Sequence, residues 1–167
     1  GVYALNADYF NKVYSIKDRQ KKVSVSIALP SVEKIQSVAC VEKFGMELAK
    51  KLLPGPVTII FPSTVHFFGS TIGVRVPNNR IALKILRRIH PLTCTSANLH
   101  GLPPPSSVRE AMEQLGDKID IYVDGGKCVH CGPSTVIRVE GKKIKLIRRG
   151  VIPFERVLEC AREIKNS

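Results

Sequence analysis

The sequence predicts an α/β fold in a single domain, and three observations predict it. Short β-branched runs alternate with helix-period runs along the whole chain. A length of 167 residues suits one domain, in which about 70% of the unfolded surface can be buried without disulfides or metal. No linker, repeat or low-complexity tract interrupts the pattern, so one domain over residues 1–167 is expected.

Val2-Tyr3-Ala4-Leu5 reads as the last piece of a strand. Asp8 to Lys17 follows as a helix, with Phe10, Val13, Tyr14 and Lys17 near one face. Val23 to Leu29 is β-branched and partly alternating, hence a strand. Pro30-Ser31 opens a short helix, with Ser31 as its N-cap. Val41 to Leu53 is a longer helix whose Lys50-Lys51 end suits the dipole, and Pro54-Gly55-Pro56 stops it. Strands are expected at Val57 to Phe61 and Thr71 to Pro77, joined by a loop from Ser63 to Ser70. A helix from Arg80 to Ile89 comes next, and its basic face, Lys84, Arg87 and Arg88, reads as solvated. Ser107 and Glu110 form a capping box for a helix to Leu115. Ile119 to Val123 reads as a strand. Gly141 makes a hairpin of Val136 to Val139 and Ile144 to Ile147. Pro153 at the first helical position starts a last amphipathic helix.

Chemistry concentrates after the helix from Arg80 to Ile89. Pro91 to Thr95 is a short apolar run that ends at Ser96-Ala97-Asn98 and then meets glycine and three prolines. On extended backbone Ser96 and Asn98 point to one side, at a strand end where open α/β sheets bind ligands. The alternative is a plain turn in which both side chains bond their own backbone. Lys17 and Arg19, Ser134 and Thr135, and Arg148 also stand at element ends. Lysine supplies a point charge and arginine a bidentate fork, a pairing suited to polyphosphate. Arg75, inside the apolar Thr71 to Pro77 strand, needs an anionic partner, for which a carboxylate ligand would serve.

Charge points the same way. The chain has 26 Lys and Arg against 14 Asp and Glu, a net +12, which attracts RNA, nucleotides or phosphate. It has no tryptophan and few aromatics, so recognition by base stacking is not indicated. Five cysteines form no framework, and no apolar run reaches the length of a membrane span. Reduced thiols in a cytoplasmic setting are expected, with no membrane partner. Cys128-Val129-His130-Cys131 offers half a zinc site with no second half, so a loop with free thiols is the plainer reading. Asp124 reads as a turn residue before two glycines, and His100 as an exposed loop histidine.

Seven segments, in order, carry a resemblance. They are Lys17-Asp18-Arg19, Leu53-Pro54-Gly55-Pro56-Val57-Thr58, Thr71 to Pro77, Thr95-Ser96-Ala97-Asn98, Asp124-Gly125-Gly126, Pro133-Ser134-Thr135 and Ile147-Arg148-Arg149-Gly150. Together they resemble the YrdC-type threonylcarbamoyl-AMP synthase family. The resemblance implies a twisted, mixed, open sheet with flanking helices and a concave basic pocket. It implies a nucleotidyltransferase that makes threonylcarbamoyl-AMP and pyrophosphate from L-threonine, bicarbonate and ATP, with Mg²⁺ carried on the ATP. The product would feed a threonylcarbamoyl-transferase complex that modifies tRNA. The implied catalytic set is Lys17, Arg19, Ser96 and Asn98. Lys21, Thr71 and Arg148 join these four on ATP, and Thr71 also lines the threonine end. Ser26, Arg75, Cys94 and Ser134 take the threonine or carbamate, with Arg75 on the carboxylate. No protein ligand for a metal is implied.

The sequence departs from the family pattern in places. The family's opening strand and helix are missing ahead of Val2-Tyr3-Ala4-Leu5, where Ala4 replaces a glycine. Gln20 and Ser24 stand where prolines are usual. A module of the same fold that binds double-stranded RNA or tRNA without catalysis is the alternative, and a carbamoyl-handling domain of the hydrogenase-maturation type ranks below both.

Overall fold

The computed structural model describes residues 1–18, 25–128 and 132–166. Six strands form one open mixed sheet in the order β4-β1-β3-β2-β5-β6. They are β1 (Ser26–Ala28), β2 (Val57–Pro62), β3 (Thr71–Arg75), β4 (Leu92–Cys94), β5 (Thr135–Glu140) and β6 (Lys143–Arg148). β1 runs parallel to β3, and β2 parallel to β5; the other three pairings are antiparallel. Among the described residues five α-helices accompany the sheet: α1 (Ala7–Ile16), α2 (Lys43–Leu52), α3 (Arg80–Leu86), α4 (Val108–Leu115) and α5 (Phe154–Lys165).

Register divides the sheet into two chemistries. Ile27 and Ile59 both stand opposite Val74, and Ile59 also neighbours Ile137, so one face carries an unbroken row of aliphatic side chains. All four are fully buried. Phe44, Leu48 and Ala49 of α2 and Val157, Cys160 and Ala161 of α5 belong to the same core. Lys51 ties these two helices together through Glu163 at 2.7 Å. Successive strand residues point to opposite faces. The other face therefore presents Ser26, Thr58, Gly73, Arg75 and Cys94, which are polar or small.

Most elements lie where the sequence puts them. The segment Val2 to Leu5 pairs as a short bridge, Tyr3 with Leu92, beside β4. The expected Ile119 to Val123 strand forms no ladder. No backbone hydrogen bond reaches residues 120–123 among the described residues, and Ile121 is 78% exposed. The edge of β4 is already taken by the first residues, through Thr93 N–H to Val2 and Ala4 N–H to Pro91. The other edge belongs to β6. β-branched composition alone cannot make a strand without a neighbour.

Caps shift by small amounts. Ser31 does not cap; the short 3₁₀ turn Glu33–Ser37 starts after Val32, and the Ser31 hydroxyl instead bonds the Glu33 carboxylate. Pro153 stands one place ahead of α5 as its capping residue. Ser107 does cap α4, but Glu110 turns back to Ser106 rather than to Ser107.

Two substitutions test this division. Leu48→Ala should cost about 2–5 kcal/mol, read as a lower urea midpoint, because the cavity it leaves is walled by both helices and sheet. Ile121→Asp should change stability by no more than about 0.5 kcal/mol, because no ladder or core depends on it. A large loss from Ile121→Asp would mean that residues 119–123 do pair in solution.

Candidate active site

The site begins with a lysine in an unusual place. Lys17 is the C-cap of α1, yet its side chain is only 6% exposed. A buried ammonium needs acceptors, and two come from the loop after β4. Lys17 Nζ donates to the carbonyl of Ser96 and, at 3.3 Å, to Asn98 Oδ1. Asn98 is 8% exposed, and its amide nitrogen donates to the carbonyls of Leu99 and Leu102 at 2.9 and 2.6 Å. His100 N–H closes the junction onto the Lys17 carbonyl at 3.1 Å. Helix end and loop are thereby locked together.

Ser96 and Asn98 therefore part company. Ser96 is exposed, and its hydroxyl makes no hydrogen bond among the described residues, so it is open to a ligand. Asn98 commits its side chain to the loop and to Lys17. Half of the plain-turn alternative is thus what this loop does, and Asn98 also holds Lys17.

Beyond this junction a cavity of about 520 Å³ opens over the polar face of the sheet. Ser26, Arg75, Cys94, Ser96, Ser134 and Arg148 line it together with Lys17. Ser26 and Cys94 are register partners across β1 and β4. Gly73 leaves the floor open: a Cβ there would lie 3.2 Å from Thr58 Cγ2 and 3.4 Å from Ser26 Oγ. The Nε of Arg75 is buried and has no hydrogen-bond partner, and no ion pair reaches this guanidinium among the described residues. At the far wall Arg148 donates through Nε and Nη2 to the Ser134 carbonyl, at 3.3 and 2.8 Å, and through Nη2 to Ser134 Oγ at 3.1 Å. Thr58 Oγ1 lies 2.9 Å from Ser134 Oγ. Among the described residues no aspartate or glutamate lines the cavity.

Of the residues expected from the sequence, Thr71 is not brought to this cavity. It opens β3 opposite Pro62, about 13 Å along the strand from Arg75 at the usual rise. Arg19, Lys21, Lys22, His130 and Cys131 lie outside the described residues. His100 is exposed and also lines the cavity. Asp124 is a turn residue, its Oδ1 accepting from Gly126 N–H at 2.9 Å. Thr58 and Gly73 received no role from the sequence. The signal for Thr58 was present, as a lone hydroxyl within Val57-Thr58-Ile59-Ile60. Gly73 gave none, since a glycine within a strand reads equally as a bulge.

A family model for Sua5, YciO and YrdC proteins, described as "Telomere recombination", matches residues 1–150. The chain belongs to this family. Among Sua5/YciO/YrdC relatives, a protein of Methanocaldococcus jannaschii provisionally named threonylcarbamoyl-AMP synthase is 37% identical over 161 residues, covering 94% of this chain and 77% of that protein. The threonylcarbamoyl-AMP synthase of Pyrococcus abyssi is 30% identical over 173 residues, covering 99% of this chain and 51% of that protein. The crystal structure of P. abyssi Sua5 complexed with L-threonine superposes with a TM-score of 0.87 at 29% identity, over 95% of this chain and 49% of that one. E. coli YciO shares the fold, with a TM-score of 0.78 at 24% identity over 89% of this chain and 76% of that one. The chain thus spans about half the length of the P. abyssi protein.

A carboxylate beside this pocket is held by its neighbours. Glu110 is held below the usual carboxylate range, first by the Ser106 N–H and then by the Ser106 hydroxyl. Ser106 lines the cavity. A carboxylate depressed on folding contributes stability above its unfolded value, near 4.5, and loses it as pH falls through the depressed one. Glu110→Gln should therefore lower the melting temperature slightly at neutral pH and converge with wild type in acid, which flattens the acid limb. An acid limb that keeps its slope in the variant would remove Glu110 from the account.

Proposed function

We propose that this chain joins L-threonine, bicarbonate and ATP into threonylcarbamoyl-AMP, with release of pyrophosphate. The observation that carries the reading is a cavity lined by Lys17, Arg75, Arg148 and hydroxyls, with no carboxylate among the described residues of its wall. Such a lining suits a ligand that is anionic at both ends, and ATP with a carbamate is one. The names of the relatives and the L-threonine bound by P. abyssi Sua5 support the same assignment.

In this reading Lys17 and the Ser96 hydroxyl meet the phosphates, and Arg75, Ser26, Cys94 and Ser134 take the amino-acid end. Arg19 and Lys21 remain assigned to the nucleotide, with Arg148 serving it from the far wall. The threonine nitrogen bonds the carbon of bicarbonate and water leaves. A carbamate oxygen then bonds the α-phosphorus as the bond to the bridging oxygen of pyrophosphate breaks. Positioning and cation placement suffice for both steps. Among the described residues no three His, Cys, Asp or Glu side chains gather as metal ligands. Mg²⁺ therefore enters on the phosphate oxygens of ATP, as part of the substrate. The family resemblance implies that the product passes its threonylcarbamoyl group to a tRNA adenosine through a separate enzyme.

A second reading rests on β6, an edge strand flanked by exposed Lys142, Lys143, Lys145, Arg148 and Arg149. It suits an RNA backbone without chemistry.

Pyrophosphate release tests both. Release should require ATP, L-threonine and bicarbonate together. Lys17→Ala should lower kcat/KM at least about 100-fold, as loss of a preorganised donor does, and Ser96→Ala about tenfold. Release that ignores threonine or survives Lys17→Ala would defeat the synthase reading. No release, with RNA binding that falls steeply with salt, would put the RNA module first.

A further inference from the structure

Thr58 takes no part in either bond-forming step, yet it is 3% exposed with its hydroxyl turned to the cavity rather than to the core. Among the described residues its hydroxyl meets Ser134 Oγ, at 2.9 Å. A hydroxyl offers one proton and two lone pairs. Ser134 Oγ already accepts from Arg148 Nη2 at 3.1 Å, and its carbonyl accepts twice more from the same guanidinium. Of the Thr58–Ser134 pair, one proton lies between the two oxygens and one is left over. Thr58 is buried and Ser134 half-buried at the cavity wall. If Ser134 donated to Thr58, the spare proton would sit on the buried oxygen. If Thr58 donates to Ser134, both Ser134 lone pairs are filled and the spare proton sits on the oxygen that faces the ligand.

We infer that Thr58 is a positioning residue that acts through Ser134. By donating to Ser134 Oγ it makes that hydroxyl an obligatory donor, aimed with Arg75 at an anionic oxygen of the ligand, the carboxylate or carbamate of the amino-acid substrate. Without Thr58, Ser134 could turn and accept instead, and the site would lose its preference for an anion at that spot. Gly73 completes the arrangement, since a side chain there would press on Thr58 Cγ2 at 3.2 Å. The inference rests on the synthase reading for the identity of the ligand, and on geometry alone for the direction of the hydrogen bond.

The experiment compares wild type, Thr58→Val, Thr58→Ser, Ser134→Ala and the double variant Thr58→Val with Ser134→Ala. It measures KM for L-threonine and for ATP, the calorimetric Kd for L-threonine, and the melting temperature. Thr58→Val keeps the shape and removes the hydroxyl. It should raise the threonine KM and Kd about tenfold, the scale of one hydrogen bond to a charged group, with the ATP KM within about twofold. Thr58→Ser should restore wild-type values, and the double variant should be no worse than Ser134→Ala by itself. A threonine Kd within about twofold of wild type in Thr58→Val, or no rescue by serine, would overturn the inference. So would a Thr58→Val loss that is additive with Ser134→Ala. If Thr58→Val does not fold, Thr58→Ala takes its place beside Thr58→Ser and Ser134→Ala and supplies the same cycle. Wild-type protein that binds L-threonine but releases no pyrophosphate would defeat the synthase reading and leave Thr58 to be judged by the Kd values. Wild-type protein that binds no L-threonine would defeat both.

Discussion

Period-two alternation along β2 and β3 is the constraint on which the rest depends. Ile59 and Val74 fix one face as core, and that choice forces Thr58, Gly73 and Arg75 onto the other. A slip of one residue in this antiparallel pair would bury the guanidinium and expose the aliphatic row. The hydrophobic demand of the core thus sets the position of the polar groups. The site needs no separate scaffold, because it is the reverse side of the surface that drives folding.

The second requirement is a wall, and a chain segment far away in sequence supplies it. Lys17 and Ser96 stand 79 residues apart, and their junction closes one end of the cavity. The Lys17 ammonium has acceptors on the loop side, and Asn98 braces that loop through two carbonyls. A loop containing Ser96-Ala97-Asn98 and then glycine and prolines has little regular hydrogen bonding of its own. The lysine provides the fixed point that the backbone does not. This is also why a phosphate-binding role for Lys17 and a structural role for Asn98 are compatible: the amide holds the cation, and the cation faces the cavity.

Much of this was legible in the sequence. Alternation placed β1, β2, β3 and the β5–β6 hairpin, because each buries one face and so leaves a period that can be read. Arg75 stood out as a charge inside an apolar run, and its unpartnered Nε is the structural form of that signal. Ile119 to Val123 misled because its residues suit a strand while no neighbouring strand is available, and pairing is not written in local composition. Asn98 was legible as a site residue, and its bonds to the loop backbone were the plain-turn alternative; its hold on Lys17 was not legible, because nothing local pairs residues so far apart. Thr71 was placed with the nucleotide by resemblance. Its distance along β3 follows from a register that only the pairing with Pro62 reveals.

Among the described residues the unpartnered Arg75 Nε is the cost this cavity carries. A buried donor without an acceptor costs about 1–3 kcal/mol, and like charges nearby add to it. A carboxylate from the protein would relieve that cost, yet it would occupy the place where an anionic ligand must bind and would repel it. Leaving the donor open moves the relief from folding to binding. An acidic residue placed in the cavity wall would satisfy that donor and, by the same contact, turn an anion away. The absence of aspartate and glutamate from the lining is therefore a property of the site as much as the presence of lysine and arginine.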